Sequence, residues 1–181
     1  FSLQKELKTL RLSFHLTNFT NRGLKSLKKA FQTMSELRAF HINFEECSRI
    51  STEGLEFLQE GLSSMKSLVH YTLGINHCNN IILDSQLPLL IREMPSLESL
   101  GLAIENCFDV TDEGMQAIRN QLKKLNILKR VNFTLSGLNG ITNKGFESLL
   151  DGIQSTSEIE SLKIKVTNCK YVNDEGFKIL R

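Results

Sequence analysis

Four thiols and four imidazoles hold most of the chemistry this chain could perform. Cys47, Cys78, Cys107 and Cys169 are even in number, as a disulfide framework requires, and with His15, His41, His70 and His77 they could also ligate a metal. Glu45 and Glu105 are the carboxylates to weigh as an acid and base pair. Position decides among these readings, and position depends on an internal repeat.

Starting at Leu7, Leu37, Leu68, Leu97, Leu128 and Ile159, the same residue classes recur at the same offsets, with spacings of 30, 31, 29, 31 and 31 residues. Offset 3 holds Leu10, Phe40, Tyr71, Leu100, Val131 and Leu162, and offset 5 holds Leu12, Ile42, Leu73, Leu102, Phe133 and Ile164. Offset 7 continues with Phe14, Phe44, Ile75, Ile104, Leu135 and Val166, while the residues between are mostly polar or small. Alternation of this kind predicts a strand with one buried face.

Downstream, all four cysteines fall at offset 10, where the fifth copy has Leu138. A helix-start pattern follows in Ser51-Thr-Glu-Gly54, Thr111-Asp-Glu-Gly114, Thr142-Asn-Lys-Gly145 and Asn173-Asp-Glu-Gly176. Its first residue can cap the free amides of the opening turn, and its acidic residues suit the positive end of a helix dipole. The apolar period then becomes helical, as in Leu55, Leu58, Leu62 and Met65, or Met115, Ile118, Leu122 and Leu125. The third copy is irregular: it lacks the Gly and places Pro88 where the helix should run.

The fixed offset of the cysteines predicts side chains that point inward as small apolar groups, each with a weak S–H donor for loop backbone. His15, His41 and His70 fall at even offsets and should project from the polar strand face, with His77 in the loop beside Cys78. His41 and His70 are two residues out of register, about 8 Å apart, with no third residue to complete a catalytic zinc site. Glu45 and Glu105 stand two repeats apart with no His or nucleophile placed beside them, so no catalytic, cofactor-binding or metal residue is assigned. Lys25, Lys28, Lys29, Lys123 and Lys124 read as a solvated helix face, and the sequons at Asn18 and Asn132 are no more than chance supplies.

The combined pattern, L-x-x-L-x-L-x-(F/I)-x-x-C-x-x-(I/V)-(T/S/N)-x-x-G-(L/M/F), resembles a leucine-rich repeat over essentially all 181 residues. Its Cys column and turn are similar to the cysteine-containing repeats of substrate-recruiting F-box proteins. Its length near 30, with a full helix, is closer to the ribonuclease-inhibitor-like class. The Cys lies two residues later than in the usual repeat, which implies a longer strand or loop. The resemblance implies an α/β fold, a right-handed solenoid with parallel strands on the concave side and helices on the convex side. Residues 1–6 would be the tail of a preceding repeat, and further repeats would flank the six in a longer protein.

The concave side would then present Arg11, Ser13, His15, His41, Asn43, Glu45, His70, Thr72, Asn76, Glu105, Arg130, Asn132, Lys163 and Lys165. Gly74 and Gly101 either leave room there for a partner to approach closely or are merely tolerated. Six strands offer roughly 500 Å², short of the approximately 800 Å² per partner of a standard interface, so contact should extend to the loops or to further repeats.

Composition narrows the class. Lys plus Arg number 22 against 20 for Asp plus Glu, with no block of five or more like charges, which argues against a nucleic-acid partner. No apolar run approaches the roughly 18 residues of a membrane span. Free cysteines in adjacent repeats suggest a reducing compartment, cytoplasm or nucleus. The expectation is a non-enzymatic scaffold for a protein partner, with no cofactor and no small-molecule substrate. The alternatives are a substrate-recognition module of a ubiquitin-ligase receptor or other enzyme system, and a GTPase-activating protein.

Overall fold

Six strands alternate with helices: β1 (Thr9–His15), α1 (Asn21–Phe31), β2 (Ala39–Glu45), α2 (Thr52–Leu62), β3 (His70–Asn76), α3 (Leu83–Leu90), β4 (Ser99–Glu105), α4 (Asp112–Leu122), β5 (Arg130–Ser136), α5 (Asn143–Gln154) and β6 (Ser161–Thr167). The computed structural model describes residues 6–180, so the tail expected at 1–6 lies, but for Glu6, outside the described residues. The strands form one parallel sheet in sequence order, and each begins two residues after a repeat start. Every neighbouring pair is matched offset for offset, from Thr9 opposite Ala39 to Ser136 opposite Thr167.

On β2 to β5 the odd offsets are buried and the even ones, apart from Gly74 and Gly101, are not, so the sheet has a covered face and an open face. On the outer strands β1 and β6 the odd offsets are only partly covered, and Leu162 is exposed. Phe40, Tyr71, Leu100 and Val131 are 0–2% exposed, and they join one apolar cluster with helix residues such as Leu24, Leu55, Met115 and Phe146. Each such side chain contributes about 1.5–3 kcal/mol by leaving water, which makes these columns the main stabilising term and leaves a one-residue slip no apolar face to bury. Aromatic rings reinforce the amino-terminal end: Phe14 stacks on Phe19 at 3.8 Å and on Phe44 at 5.8 Å.

Backbone clips hold both ends of each strand. At the start, one carbonyl accepts two amides of the next repeat, as Arg38 O does from Val69 and His70. At the finish, the residue at offset 9 takes a left-handed conformation in all six copies: Leu16, Glu46, His77, Asn106, Gly137 and Asn168. In the first five copies its amide then bonds the carbonyl ending the next strand, as Leu16 N does to Glu45 O at 3.0 Å. Five of these six residues carry a Cβ, and each pays about 1–2 kcal/mol for the conformation, which the clip and the buried residues on either side offset.

A side-chain bridge links successive helix starts. The Asp112 carboxylate accepts from Thr142 N at 2.7 Å and from the Thr142 hydroxyl at 2.6 Å. Asp84 does the same for Thr111, while Asn143 accepts from Asn173 N through Oδ1 at 2.9 Å and donates its own amide to Asn173 Oδ1 at 3.0 Å. Asn21 reaches Ser51, whose hydroxyl receives that amide instead of capping its own helix as expected. The bridge explains the glycine of the repeat: a Cβ at Gly114 would stand 2.1 Å from Asp84 Oδ1, and one at Gly145 would stand 2.1 Å from Asp112 Oδ1.

Two expectations about helices change. The third helix is eight residues against eleven in α2 and α4, with Pro88 inside it and no side-chain cap, so the short 29-residue spacing is absorbed on the helix side while β3 and β4 keep full register. Where a sixth α-helix was expected after Asn173, residues Asp174–Leu180 form a 3₁₀ helix. It packs against α5, with Phe177 against Phe146 at 4.8 Å between ring centroids.

Gly114→Ala is expected to lower stability by about 1–3 kcal/mol in denaturant titration, and by distinctly less when Asp84→Ala is already present. Strictly additive effects would show that the bridge does not impose the glycine.

Candidate functional site

Every residue expected on the polar strand face is there. Arg11, Ser13 and His15 lie on β1, His41, Asn43 and Glu45 on β2, and His70, Thr72 and Asn76 on β3. Glu105 lies on β4, Arg130 and Asn132 on β5, and Lys163 and Lys165 on β6. Parallel pairing in register arranges them in four rows across the strands. One row runs Arg11, His41, Thr72, Gly101, Asn132 and Lys163; the next runs Ser13, Asn43, Gly74, Ala103, Thr134 and Lys165.

These rows carry two shallow hollows. One of about 320 Å³ is bounded by Arg11, His41, Asn43, Thr72, Gly74 and Ala103. The other, of about 280 Å³, is bounded by Thr72, Ser99, Gly101, Arg130, Asn132 and Lys163. The two glycines have a definite reason. A Cβ at Gly74 would lie 2.0 Å from Asn43 Oδ1, and one at Gly101 would lie 3.0 Å from Thr72 Oγ1. Neither of the two readings, room for a partner or mere tolerance, named this reason: the space over each glycine is taken by the preceding strand's own side chain.

The row nearest the strand ends is a hydrogen-bonded chain. His15 Nδ1 stands 3.1 Å from Glu45 Oε2, Asn76 donates to Glu45 Oε1 at 3.4 Å, and Asn106 donates to Asn76 Oδ1 at 3.4 Å. This corrects the sequence reading that no His stands by Glu45. Both residues are at offset 8 of adjacent copies, and parallel register makes equal offsets direct neighbours. The pairing orients the imidazole, as a carboxylate does in acid–base sites, but the thiols that could have served as nucleophiles are turned inward.

All four cysteines are buried and unbridged. Each thiol donates to main-chain carbonyls at the ends of two strands: Cys47 to Phe14 O and Glu45 O, both at 3.5 Å, and Cys107 to Ile75 O at 3.7 Å and Glu105 O at 3.3 Å. The acceptors are strand ends and not the loop backbone expected. Burial pushes the Cys78 thiol up to about 11 and raises that of Cys107, so neither forms a thiolate near neutral pH. Among the described residues no group of three His, Cys, Asp or Glu side chains could hold a metal ion, and no helix is long and apolar enough to cross a membrane.

His41 is held below the ordinary imidazole range, first by burial and then by the positive charges of Arg11 and His70. Arg11, Arg130, Lys163 and Lys165 make no ion pair among the described residues. The lysines read as a solvated helix face differ in this: Lys28 pairs with Glu60, and Lys123 lies 3.0 Å from Asp151, whose carboxyl Lys123 and Arg119 hold below its usual range.

A feature the sequence reading passed over lies beside the open face, along the edge where the strands end. Among the described residues, seven large apolar side chains are exposed, and of these Leu16, Ile82, Phe108 and Tyr171 sit in strand-to-helix connections, at 65%, 61%, 63% and 51% exposure. They occupy different offsets, so no single column of the repeat announced them.

The thiols are expected to resist Ellman's reagent in the native protein and to react fully after denaturation; rapid native labelling of Cys78 or Cys107 would contradict the packing described. Comparison with protein-family models gives no match, and comparison with curated proteins gives none either.

Proposed function

We propose that this chain is a non-enzymatic protein-interaction scaffold of the leucine-rich-repeat type, a right-handed solenoid whose concave side is the open face of the sheet. The observation that carries the reading is the pairing of that face with its rim: polar rows with four unpaired cations on one side, and Leu16, Ile82, Phe108 and Tyr171 exposed along the adjoining edge. Exposed aromatic and branched side chains bordering a polar surface are the composition of protein interfaces. The rim also supplies the area that the strands alone lack. Four buried thiols, raised by burial at Cys78 and Cys107, and a His–Glu pair whose neighbouring thiol, Cys47, is turned into the core favour binding over catalysis. The free cysteines fit a reducing compartment, cytoplasm or nucleus, and the chosen partner is a protein and not a nucleic acid or a membrane.

Capture from source-cell extract tests the reading. The intact protein is expected to retain a defined protein, and a variant with Arg11, His41, His70, Arg130, Lys163 and Lys165 each changed to Glu is expected to lose it while keeping its circular dichroism spectrum. Equal retention by both would remove the open face from consideration.

A further inference from the structure

Acidic residues are absent from most of the open face. The three rows at offsets 2, 4 and 6 comprise eighteen positions, from Thr9 to Lys165, and none is Asp or Glu. Four are Arg or Lys and two are His. The carboxylates that do face outward, Glu45 and Glu105, stand in the row at the strand ends, where Glu45 is already engaged by His15. At the opposite edge Glu98 is paired with Lys129 at 3.4 Å. In a chain whose overall charge is only +2, this segregation is a property of the face and not of composition.

The cations are also placed unevenly. Arg11 stands on β1 and Arg130 and Lys163 on β5 and β6, while β4 contributes Ser99, Gly101 and Ala103 between them. The two hollows share Thr72 and together run beneath this line from β1 to β6. From β1 to β5 is four strand spacings, about 19 Å, which an extended chain covers in about six residues.

We infer that the open face binds an acidic, extended polypeptide segment lying across the strands, with carboxylates about six residues apart on Arg11 and Arg130 and small side chains between them over Thr72 and Ala103. This rests on the scaffold reading and names the chemistry of its partner. The lowered proton affinity of His41 points the same way, since part of it comes from uncompensated positive charge that such a partner would neutralise. Sheet hydrogen bonds between neighbouring strands are already made, so the segment is held by side chains and not by strand addition, and its affinity falls with salt.

The test is selection from a random peptide display library on the intact chain, followed by fluorescence anisotropy of the enriched peptides. Enriched sequences are expected to carry Asp or Glu about six residues apart. They should bind at least about tenfold more weakly to Arg11→Glu/Arg130→Glu/Lys163→Glu, and unchanged to the helix-side control Lys29→Glu/Lys124→Glu/Lys144→Glu. Should the triple reversal unfold, Arg11→Gln/Arg130→Gln/Lys163→Gln gives the same comparison. Neutral or basic peptides lost on Ala103→Trp but not on charge reversal would overturn the inference while leaving the open face as the binding surface. Peptides indifferent to both changes would overturn the inference and the scaffold reading of that face together. Enrichment of nothing, or tighter binding of oligouridylate RNA than of any peptide, would also overturn it.

Discussion

Register between adjacent strands is the constraint on which everything else in this molecule rests. Because each strand pairs offset for offset with the next, a residue's place on the sheet follows from its offset alone, and six copies of one pattern become four outward rows and three buried columns. A slip of one residue would put Phe40, Ile42 and Phe44 into water and His41 and Asn43 into the core. The loss is many kcal/mol by area, well above what any single cap or ion pair supplies. The 29-residue spacing between the third and fourth copies shows the hierarchy: the helix gives up three residues and tolerates a proline, and the strands yield nothing.

Polar groups are subordinate to that register but are kept in step by it. The thiol column and the left-handed residue at offset 9 serve the same edge of the sheet, one donating to strand-end carbonyls from within and the other closing the last backbone bond from outside. The bridge of Asp or Asn to the next helix start couples the helical layer to the same period, and the glycine it demands propagates that demand to the following copy. A buried thiol fits here better than Ser would. Its weak hydrogen bonds suffice for carbonyls already bonded within the sheet, while its desolvation cost is small.

Much of this was legible. Strand positions, the inward cysteines and all fourteen outward residues follow from alternation and offset, because a two-residue period with one apolar class leaves little freedom. What escaped was lateral. His15 and Glu45 are thirty residues apart, and only parallel register makes them neighbours. Asp112 reads as a dipole-compensating residue within its own helix, yet its carboxylate serves Thr142 of the next copy. The left-handed position escaped because Leu16, Glu46 and His77 occupy it in the first three copies, where the backbone clip overrides the usual preference for Gly or Asn. The reason for Gly74 and Gly101 escaped because the bulk that fills the space over them belongs to the strand before.

The scaffold account makes the open face, and not the helices, the surface that meets a partner. Lysine acetylation of the complex and of the free protein, read by mass spectrometry, tests this most directly, since lysines stand on both sides of the molecule. Protection of Lys163 and Lys165 in the complex, with Lys29, Lys124 and Lys144 modified as in the free protein, is the result the account requires. Protection confined to the helix-side lysines would contradict it.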